Sequence, residues 1–557
     1  MRTTSKLLPL ALLAASQCVS AQQIPGAGAQ LRQITPPAAT QRAVPTIRIE
    51  QAANPATAES ATATVLVNAL QFSGAQVYPA AELLAITGFT PGSQLTLGQL
   101  QAMAARITEH YRAHGYFVAR AYLPAQDITG NVVTIAVSEG KYGKVSLRNQ
   151  SNLDDGLANG LLNGLDSGDT ITLKPLEHRL LLLSDVPGVK VSSTLVPGTL
   201  AGTSDLLVDV TPGRRVSGQI DADNAGNPYT GENRLGATIN FNNLAGRGDV
   251  ASLRVQSSGS GLVYGRASYQ MQFGRATAGV AYSHLDYALG RQFTDLGAHG
   301  TADVASIYGS LPLIRSRNSN LYFGLGYDDK SLKDELDLFP SSGRTAHARV
   351  ANASLYGNHQ DSFGGGGNSA FFVALSAGDL DIRTPAALAA DAATARTNGH
   401  YSKLWFNVSR GQHITDRLSL NASLSGQRAS KNLDPSEKFV LGGMDGVRAY
   451  PQGEAFGDEG YLATVEARLL LGRMSGNLPG QLHLVGFVDA GRVTINKNPW
   501  YAGTNERNLS GAGVGITWDD PGNFAVRTYY ARKLGSEDAM SAPDRSGRFW
   551  IQAIKYF

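Results

Sequence analysis

From Arg215 to Phe557 the chain alternates polar and apolar residues, and this pattern limits the possible fold more than any other feature. RLGATINF (234–241) sets Leu235, Ala237, Ile239 and Phe241 against Arg234, Thr238 and Asn240. LSLNASLSG (418–426) sets Leu418, Leu420, Ala422 and Leu424 against Ser419, Asn421, Ser423 and Ser425. YLATVEARLLL (461–471) sets Tyr461, Ala463, Val465, Ala467, Leu469 and Leu471 against Thr464, Glu466 and Arg468. Successive side chains on a strand point to opposite faces, so period two means strand. Helical spacing does not return after Arg215.

About sixteen such segments are present, each near the ten-residue span of a tilted transmembrane strand. Their connections alternate in length. NLAGRGD, FGR, SRN, HITD and DDPG are short; 288–300, 333–344, 383–399, 429–459, 495–507 and 534–547 are long. Short periplasmic turns and long outer loops are the asymmetry of an outer-membrane barrel. The chain ends in FWIQAIKYF, a strand closing on aromatic Phe557. The alternative is a soluble β-protein with a dry core. The polar face carries Arg254, Gln256, Glu466, Arg468, Asp489 and Arg527, and this charge needs a wet or plugged lumen. Closing the sheet also satisfies every backbone group in lipid. The expected fold is a 16-stranded antiparallel transmembrane β-barrel over 213–557.

The N-terminus supports export. Arg2 and Lys6, then apolar Leu7–Ala15, then Val19-Ser20-Ala21 read as a signal peptide over 1–21. A lipoprotein needs a small residue before Cys18, and Gln17 stands there. Cys18 is the only cysteine and leaves with the signal, so disulfides and cysteine chemistry are not expected in the mature chain. No stretch approaches the ~18 apolar residues of a spanning helix. The formal net charge is only +3, which gives no case for a nucleic-acid partner.

Between signal and barrel the composition changes twice. Residues 22–62 are rich in Ala, Gln, Pro and Thr: PGAGAQLRQ (25–33) reads as a short helix, followed by an extended, proline-bearing linker. Residues 63–142 read as a β-α-α-β-β unit. In its second helix Leu97, Leu100, Met103, Ala104, Ile107 and Tyr111 fall three or four apart. Residues 143–212 repeat the order, with helices around 153–163 and 175–184, so two copies of one small α+β domain precede the barrel.

The loop LGGMDGVRAYPQGEAFGDEG (441–460) is long, glycine-rich and carries one central arginine, Arg448. A connection of this length in a compact barrel is functional or disordered. A guanidinium is a five-donor fork suited to a carboxylate. In QLHLVGFVDAGRV (481–493), Gln481, His483, Phe487 and Asp489 share the inward face; Glu466 points inward on the preceding strand. Composition alone favours reading Arg448 as a solvated loop arginine.

Two small β-α-α-β-β domains ahead of a 16-stranded barrel resemble the two-partner secretion transporters, the TpsB family of the BamA-like superfamily, which includes the filamentous-haemagglutinin transporter. The first small domain resembles that family's POTRA domain at Gly115-Tyr116, Leu123-Pro124-Ala125-Gln126 and Val137-Ser138-Glu139-Gly140. PGAGAQLRQ resembles the family's N-terminal plug helix. Gly442-Gly443 preceding Val447-Arg448-Ala449-Tyr450 resembles its Val-Arg-Gly-Tyr loop motif, and Phe487-Val488-Asp489 its Phe-x-Asp barrel motif. Ala449 departs from the usual glycine; if that position needs a positive φ, alanine strains the turn.

The resemblance implies that the loop folds into the lumen and that Arg448 latches to Asp489, with Glu466 a second partner. It implies an outer-membrane transporter that exports an unfolded exoprotein of TpsA type through recognition of its N-terminal region. The partner is then an adhesin, haemolysin or contact-dependent toxin. The POTRA domains lie in the periplasm and recognise substrate around Leu97, Leu100 and Tyr116. Outer-membrane lipids and the barrel-assembly machinery are further implied partners. An assembly factor of the BamA type is the competing reading, although it usually carries more POTRA domains; a diffusion porin has no use for them.

No enzyme, cofactor or ATP is expected: there is no Walker A, G-x-S-x-G or H-E-x-x-H motif. His110 and His114 are spaced for a metal but lack a third ligand and read as a solvated face. Trp405, Tyr529 and Tyr530 read as barrel or girdle aromatics.

Overall fold

The computed structural model describes residues 24–34, 46–49, 63–473 and 478–557. The signal peptide expected over 1–21 and most of the linker lie outside the described residues.

Sixteen strands, from Val216–Asp223 to Gly547–Tyr556, close into one antiparallel barrel. Closure joins Gln219–Asp223 to Gln552–Tyr556. The terminal Phe557 extends it, its N–H donating to the Gly218 carbonyl at 3.1 Å and its carbonyl accepting from Gly218 N at 3.0 Å. The alternation sorts as its chemistry requires: Leu235, Val255, Ile307 and Leu375 point outward, while Arg254, Gln256 and Asp489 are buried inside.

One expectation fails in detail. Ala298–Arg315, Ser319–Leu336 and Arg344–Asp361 each run for 18 residues, well beyond a bilayer span. Parts of the connections expected at 288–300 and 333–344 are therefore strand. On the outer part of this wall the outward positions become Asp303, Lys333 and Arg349, so the hydrogen-bond ladder continues past the apolar band into water.

The first small domain contains helices Ala80–Thr87 and Leu97–Ala113 and a three-stranded sheet of 69–73, 132–138 and 120–122. Its first expected strand is broken into Thr64–Val67 and Ala69–Ser73, and the former pairs with a further short strand, Ser93–Thr96. Thr96 and Gln99 form a capping box at the start of the longer helix, which buries Leu100, Met103, Ala104, Ile107 and Tyr111. Leu97, expected on the same face, is instead exposed, because it is the helix's first residue and lies at the domain rim.

The motif residues each have a local task. Glu139 accepts from Gln76 N at 2.6 Å, Val77 N at 2.7 Å and the Tyr111 hydroxyl at 2.9 Å. Burial, then the bond to Glu139, holds the Tyr111 hydroxyl above its ordinary pKa. Gln126 bonds both backbone groups of Thr134, at 2.7 and 2.8 Å. Tyr116 packs edge-on against Tyr111.

The second domain has helices Asp155–Leu162 and Leu173–Ser184 over strands 141–149, 203–212 and 189–197, around a leucine-rich core. Its first strand begins at Lys141. A strand from the linker, Thr46–Ile49, adds in parallel to 189–197. The domain docks on the short turns of the barrel: Arg315 grips Asp185 at 2.7 and 2.9 Å, Arg317 meets Glu177 at 2.7 Å, and Asn152 exchanges bonds with Asn243. The short turns and the small domains therefore share one side of the barrel.

Candidate functional site

The long loop leaves strand Leu418–Ala429, folds into the lumen and rejoins the wall at Glu459–Arg473. A two-strand hairpin, Phe439–Leu441 with Ala455–Gly457, carries its tip inward. Gly442 and Gly443 adopt φ of 101° and 107°, which reverses the chain where a Cβ would be strained. The tip is closed by Gly443 N donating to the Tyr450 carbonyl and Tyr450 N to the Val447 carbonyl. Val447, Ala449 and Tyr450 are fully buried in an apolar cluster with Phe487, Tyr529 and Trp550. The Tyr450 hydroxyl donates to the Glu537 carbonyl at 3.0 Å.

Arg448 lies at the centre of this arrangement. Its Nε and Nη2 meet the two oxygens of Asp489 at 2.9 and 2.7 Å, the bidentate geometry a guanidinium favours. Its Nη1 donates to Glu466 Oε1 at 2.6 Å, and its backbone N–H donates to Asp489 at 3.2 Å. The guanidinium carbon lies 3.4 Å from the Phe487 ring centroid. Trp550 Nε1 holds the Arg448 carbonyl at 2.7 Å. Arg448 is 4% exposed and Asp489 is 0%, so neither is a solvated side chain. Strand register makes this possible, because Glu466 stands directly opposite Phe487 and Thr464 opposite Asp489.

Ala449 does not strain the turn. Among the described residues the positive-φ non-glycine positions are Asn131, Asn243, Arg291 and Arg396, and Ala449 is not one of them. Its methyl fills space against Gly511, where a Cβ would meet it at 2.5 Å.

Sequence reasoning missed further anchors of the same loop, among them Asp434, which Arg344 holds. Glu437 lies between Lys330 Nζ at 2.5 Å and Lys403 Nζ at 2.6 Å. Glu454 accepts from Arg507 Nη2 at 3.0 Å, Met540 N at 2.7 Å and the Ser541 hydroxyl at 2.7 Å. The available signal was inward lysines on the strands, at Lys330 and Lys403, beside a loop rich in acids. Of the three residues expected as barrel or girdle aromatics, Tyr530 faces outward, whereas Tyr529 and Trp405 point into the lumen and pack on the loop. They follow the parity of their own strands.

Helix Ala27–Leu31 lies inside the outer half of the barrel with Ala27, Gly28, Ala29 and Gln30 buried. Ala27 N donates to Asp334 at 2.6 Å, Asn227 to the Gln33 side chain at 2.9 Å, and Arg32 Nε to the Lys438 carbonyl at 3.2 Å. Gly28 abuts Ser436, where a Cβ would approach to 2.6 Å. The helix thus rests on the first limb of the long loop. Among the described residues no group of three His, Cys, Asp or Glu is placed to hold a metal.

A closed barrel with an arginine-held loop in its lumen and paired small domains on its short-turn side defines a transporter of the outer membrane, with its POTRA domains in the periplasm. The chain belongs to the haemolysin secretion/activation protein family ShlB/FhaC/HecB, which matches residues 202–518, and the ShlB-type POTRA domain matches 65–140. It is thus a TpsB transporter of two-partner secretion. It is 29% identical to the Heme/hemopexin transporter protein HuxB of Haemophilus influenzae over 476 residues, 84% of this chain and 82% of that one. It is 25% identical to the outer membrane transporter CdiB of Dickeya dadantii over 437 residues, 76% of this chain and 74% of that one. These relatives are transporters by name. In fold it resembles CdiB from Escherichia coli, with a TM-score of 0.66 at 21% identity over 91% of this chain and 93% of the other. BamA from Haemophilus ducreyi, lacking POTRA domains 1–3, gives 0.53 at 14% identity over 88% of this chain and all of that one.

Proposed function

We propose that this transporter captures one unfolded exoprotein through the N-terminal region of that partner and passes it through the lumen without ATP or any catalytic step. The partner class is adhesin, haemolysin or contact-dependent toxin. The mature chain divides into a plug helix and linker (22–62), two POTRA domains (63–142 and 143–212) and the barrel (213–557), following removal of 1–21. Lipids of the outer membrane surround the barrel, and the barrel-assembly machinery inserts it.

The observation that supports this reading best is the latch. Arg448 holds a deeply buried loop across the lumen, using two carboxylates on adjacent strands. A buried pair of this kind adds little net stability against apolar replacements, whereas losing one partner strands a charge at a cost of about 3–5 kcal/mol. Its use is to fix one loop position, from which a passing chain displaces the loop. The POTRA 1 surface around Leu97, Leu100 and Tyr116 is the recognition region, with Leu97 as its exposed member and sheet edges available for strand addition. Likeness to BamA is one of fold and adds nothing to the assembly-factor alternative.

The test is export of a repeat-rich exoprotein encoded beside this chain's gene. Deleting 63–142 is expected to abolish it while the barrel stays heat-stable in detergent. Normal export from that deletion would remove the recognition role.

A further inference from the structure

The lumen wall carries a second ordered feature, away from the latch. Four successive strands, Ser319–Leu336, Arg344–Asp361, Gly367–Ile382 and Gly399–His413, point Tyr322, Tyr356, Phe372 and Trp405 inward. Each shares strand parity with buried lumenal residues: Leu332, Val350, Leu380 and Tyr401. Their outward neighbours Phe323, Leu355 and Leu375 are exposed. The rings form a continuous row. Tyr322 and Tyr356 stack at 5.3 Å and 11°, Tyr356 and Phe372 at 5.8 Å and 23°, and Phe372 meets Trp405 edge-on at 5.4 Å.

The row climbs. Tyr322 lies three residues from the periplasmic end of its strand, Tyr356 and Phe372 five, and Trp405 eight. Strand register sets Tyr322, Tyr356 and Phe372 directly opposite one another and Trp405 two residues outward of Asn407, the partner of Phe372, so the row crosses the strands obliquely as it leaves the periplasmic end. Its foot is the turn at 316–318, where Arg315, just before it, and Arg317, within it, hold the second POTRA domain through Asp185 and Glu177. Its head, Trp405, packs against the buried cluster that takes in the inward loop. The plug helix lies above it, in the outer half. Beside it the lumen is polar: a cavity of about 680 Å³ is lined by Arg410, Asn421, Ser423, Glu466 and Arg468.

Cross-strand aromatic pairs stabilise a sheet wherever they occur. That accounts for a pair, and not for a row on the water-facing side that runs from the docked domain to the movable loop. We infer that Tyr322, Tyr356, Phe372 and Trp405 form the track along which an extended segment of the exported polypeptide moves from the second POTRA domain to the loop. Alternate side chains of an extended chain repeat every ~6.6 Å, close to the ring spacing, so apolar, aromatic and proline side chains pass from ring to ring. Ring faces accept many side chains weakly, as a transporter of a long and varied sequence needs. The inference rests on the export reading.

The test uses the full chain in planar bilayers. The probe is a Gly-Ser-Asn peptide of about 20 residues with phenylalanine at every fourth position, added on the POTRA side, long enough to span the barrel when extended. The control carries alanine there. The phenylalanine peptide is expected to block current roughly tenfold longer than the alanine peptide, a difference of about 1.4 kcal/mol. Tyr356→Ala with Phe372→Ala removes the difference, while Tyr356→Phe with Phe372→Tyr keeps it. Equal blocks by the two peptides, no block by either, or a difference that survives the double alanine change overturns the track. Any of these leaves the export reading standing, since deletion of 63–142 tests that separately.

Discussion

Two long connections leave the same rim of the barrel and behave in opposite ways. Residues 383–398 carry a helix, Pro385–Ala393, in which no residue is buried. Residues 430–458 run inward, and almost every residue from Asn432 to Asp458 is buried or half-buried. Length does not separate them; the distribution of charge does. Six of the helix's nine residues are alanine, and its one acid, Asp391, bonds within its own connection, to Thr397 and Asn398. In the inward loop Asp434, Glu437, Arg448 and Glu454 each meet a charge offered by the wall: Arg344, Lys330 with Lys403, Asp489 with Glu466, and Arg507, while Asp458 pairs with Lys438 inside the loop. A loop enters a lumen when the wall presents partners that the loop alone can satisfy, because otherwise burial of its charges is too costly.

The largest way to break this contrast is Arg448→Ala. It strands Asp489 and half of Glu466's pairing at a cost of about 3–5 kcal/mol, enough to favour release of the loop tip. Export is expected to fall by more than tenfold. Proteolysis of the loop from the outer side should increase, while heat stability in detergent stays unchanged. A protected loop in this variant would mean that the apolar cluster alone holds it. Asp489→Ala should do much the same. The double variant should be little worse than either single one, since residues of one network are non-additive. Additive losses would separate the two residues and end the latch reading.

The intermediate effect belongs to Glu437→Gln. It leaves Lys330 and Lys403 facing each other without the carboxylate and loosens the limb on which Gly28 and Arg32 rest. The pore is expected to open several-fold more often in bilayers, with export reduced less than by Arg448→Ala. Unchanged conductance would mean that the short helix is not a plug or that Asp334, at its N-terminus, suffices to hold it.

How far the sequence anticipates this depends on the range of each signal. Period two is local, so the strands, their inward faces and the direction of Asp489 and Glu466 follow from the chain itself. The helix stripe that buries Leu100 to Tyr111 is local in the same way, and Leu97 fails only because stripes say nothing about where a helix begins. Glu437 and Glu454 were not legible. Their partners are 107 and 53 residues away, and only the closed barrel brings them to the same height. The pairing of Thr46–Ile49 with 189–197 was hidden for the same reason: an edge strand is recruited by an open sheet edge, which no local pattern records. Residue type reads Trp405 and Tyr529 only as barrel or girdle aromatics; the parity of their strands is what points them inward.

The smallest effect is expected from the outward connection, and it sharpens the comparison most directly. Replacing 385–390 with a short Gly-Ser segment removes most of a helix that has no buried residue, and keeps Asp391, whose bonds to Thr397 and Asn398 leave 394–398 in place. The two loops touch there: Asn432 donates to the Ala395 carbonyl and Lys431 to the Asn398 carbonyl, both at 2.7 Å. Those bonds use backbone acceptors outside the replaced segment. Loop-closure entropy changes by only about 0.6 kcal/mol per doubling of length. Export is therefore expected to stay within a factor of two of the original, with loop proteolysis unaltered. A tenfold loss of export would show that this helix guides the emerging chain or braces the inward loop through Asn432, and the division between an engaged and a passive connection would fail. Asn432→Ala in the intact chain then decides between those two: a matching loss assigns the effect to bracing, and normal export assigns it to the helix.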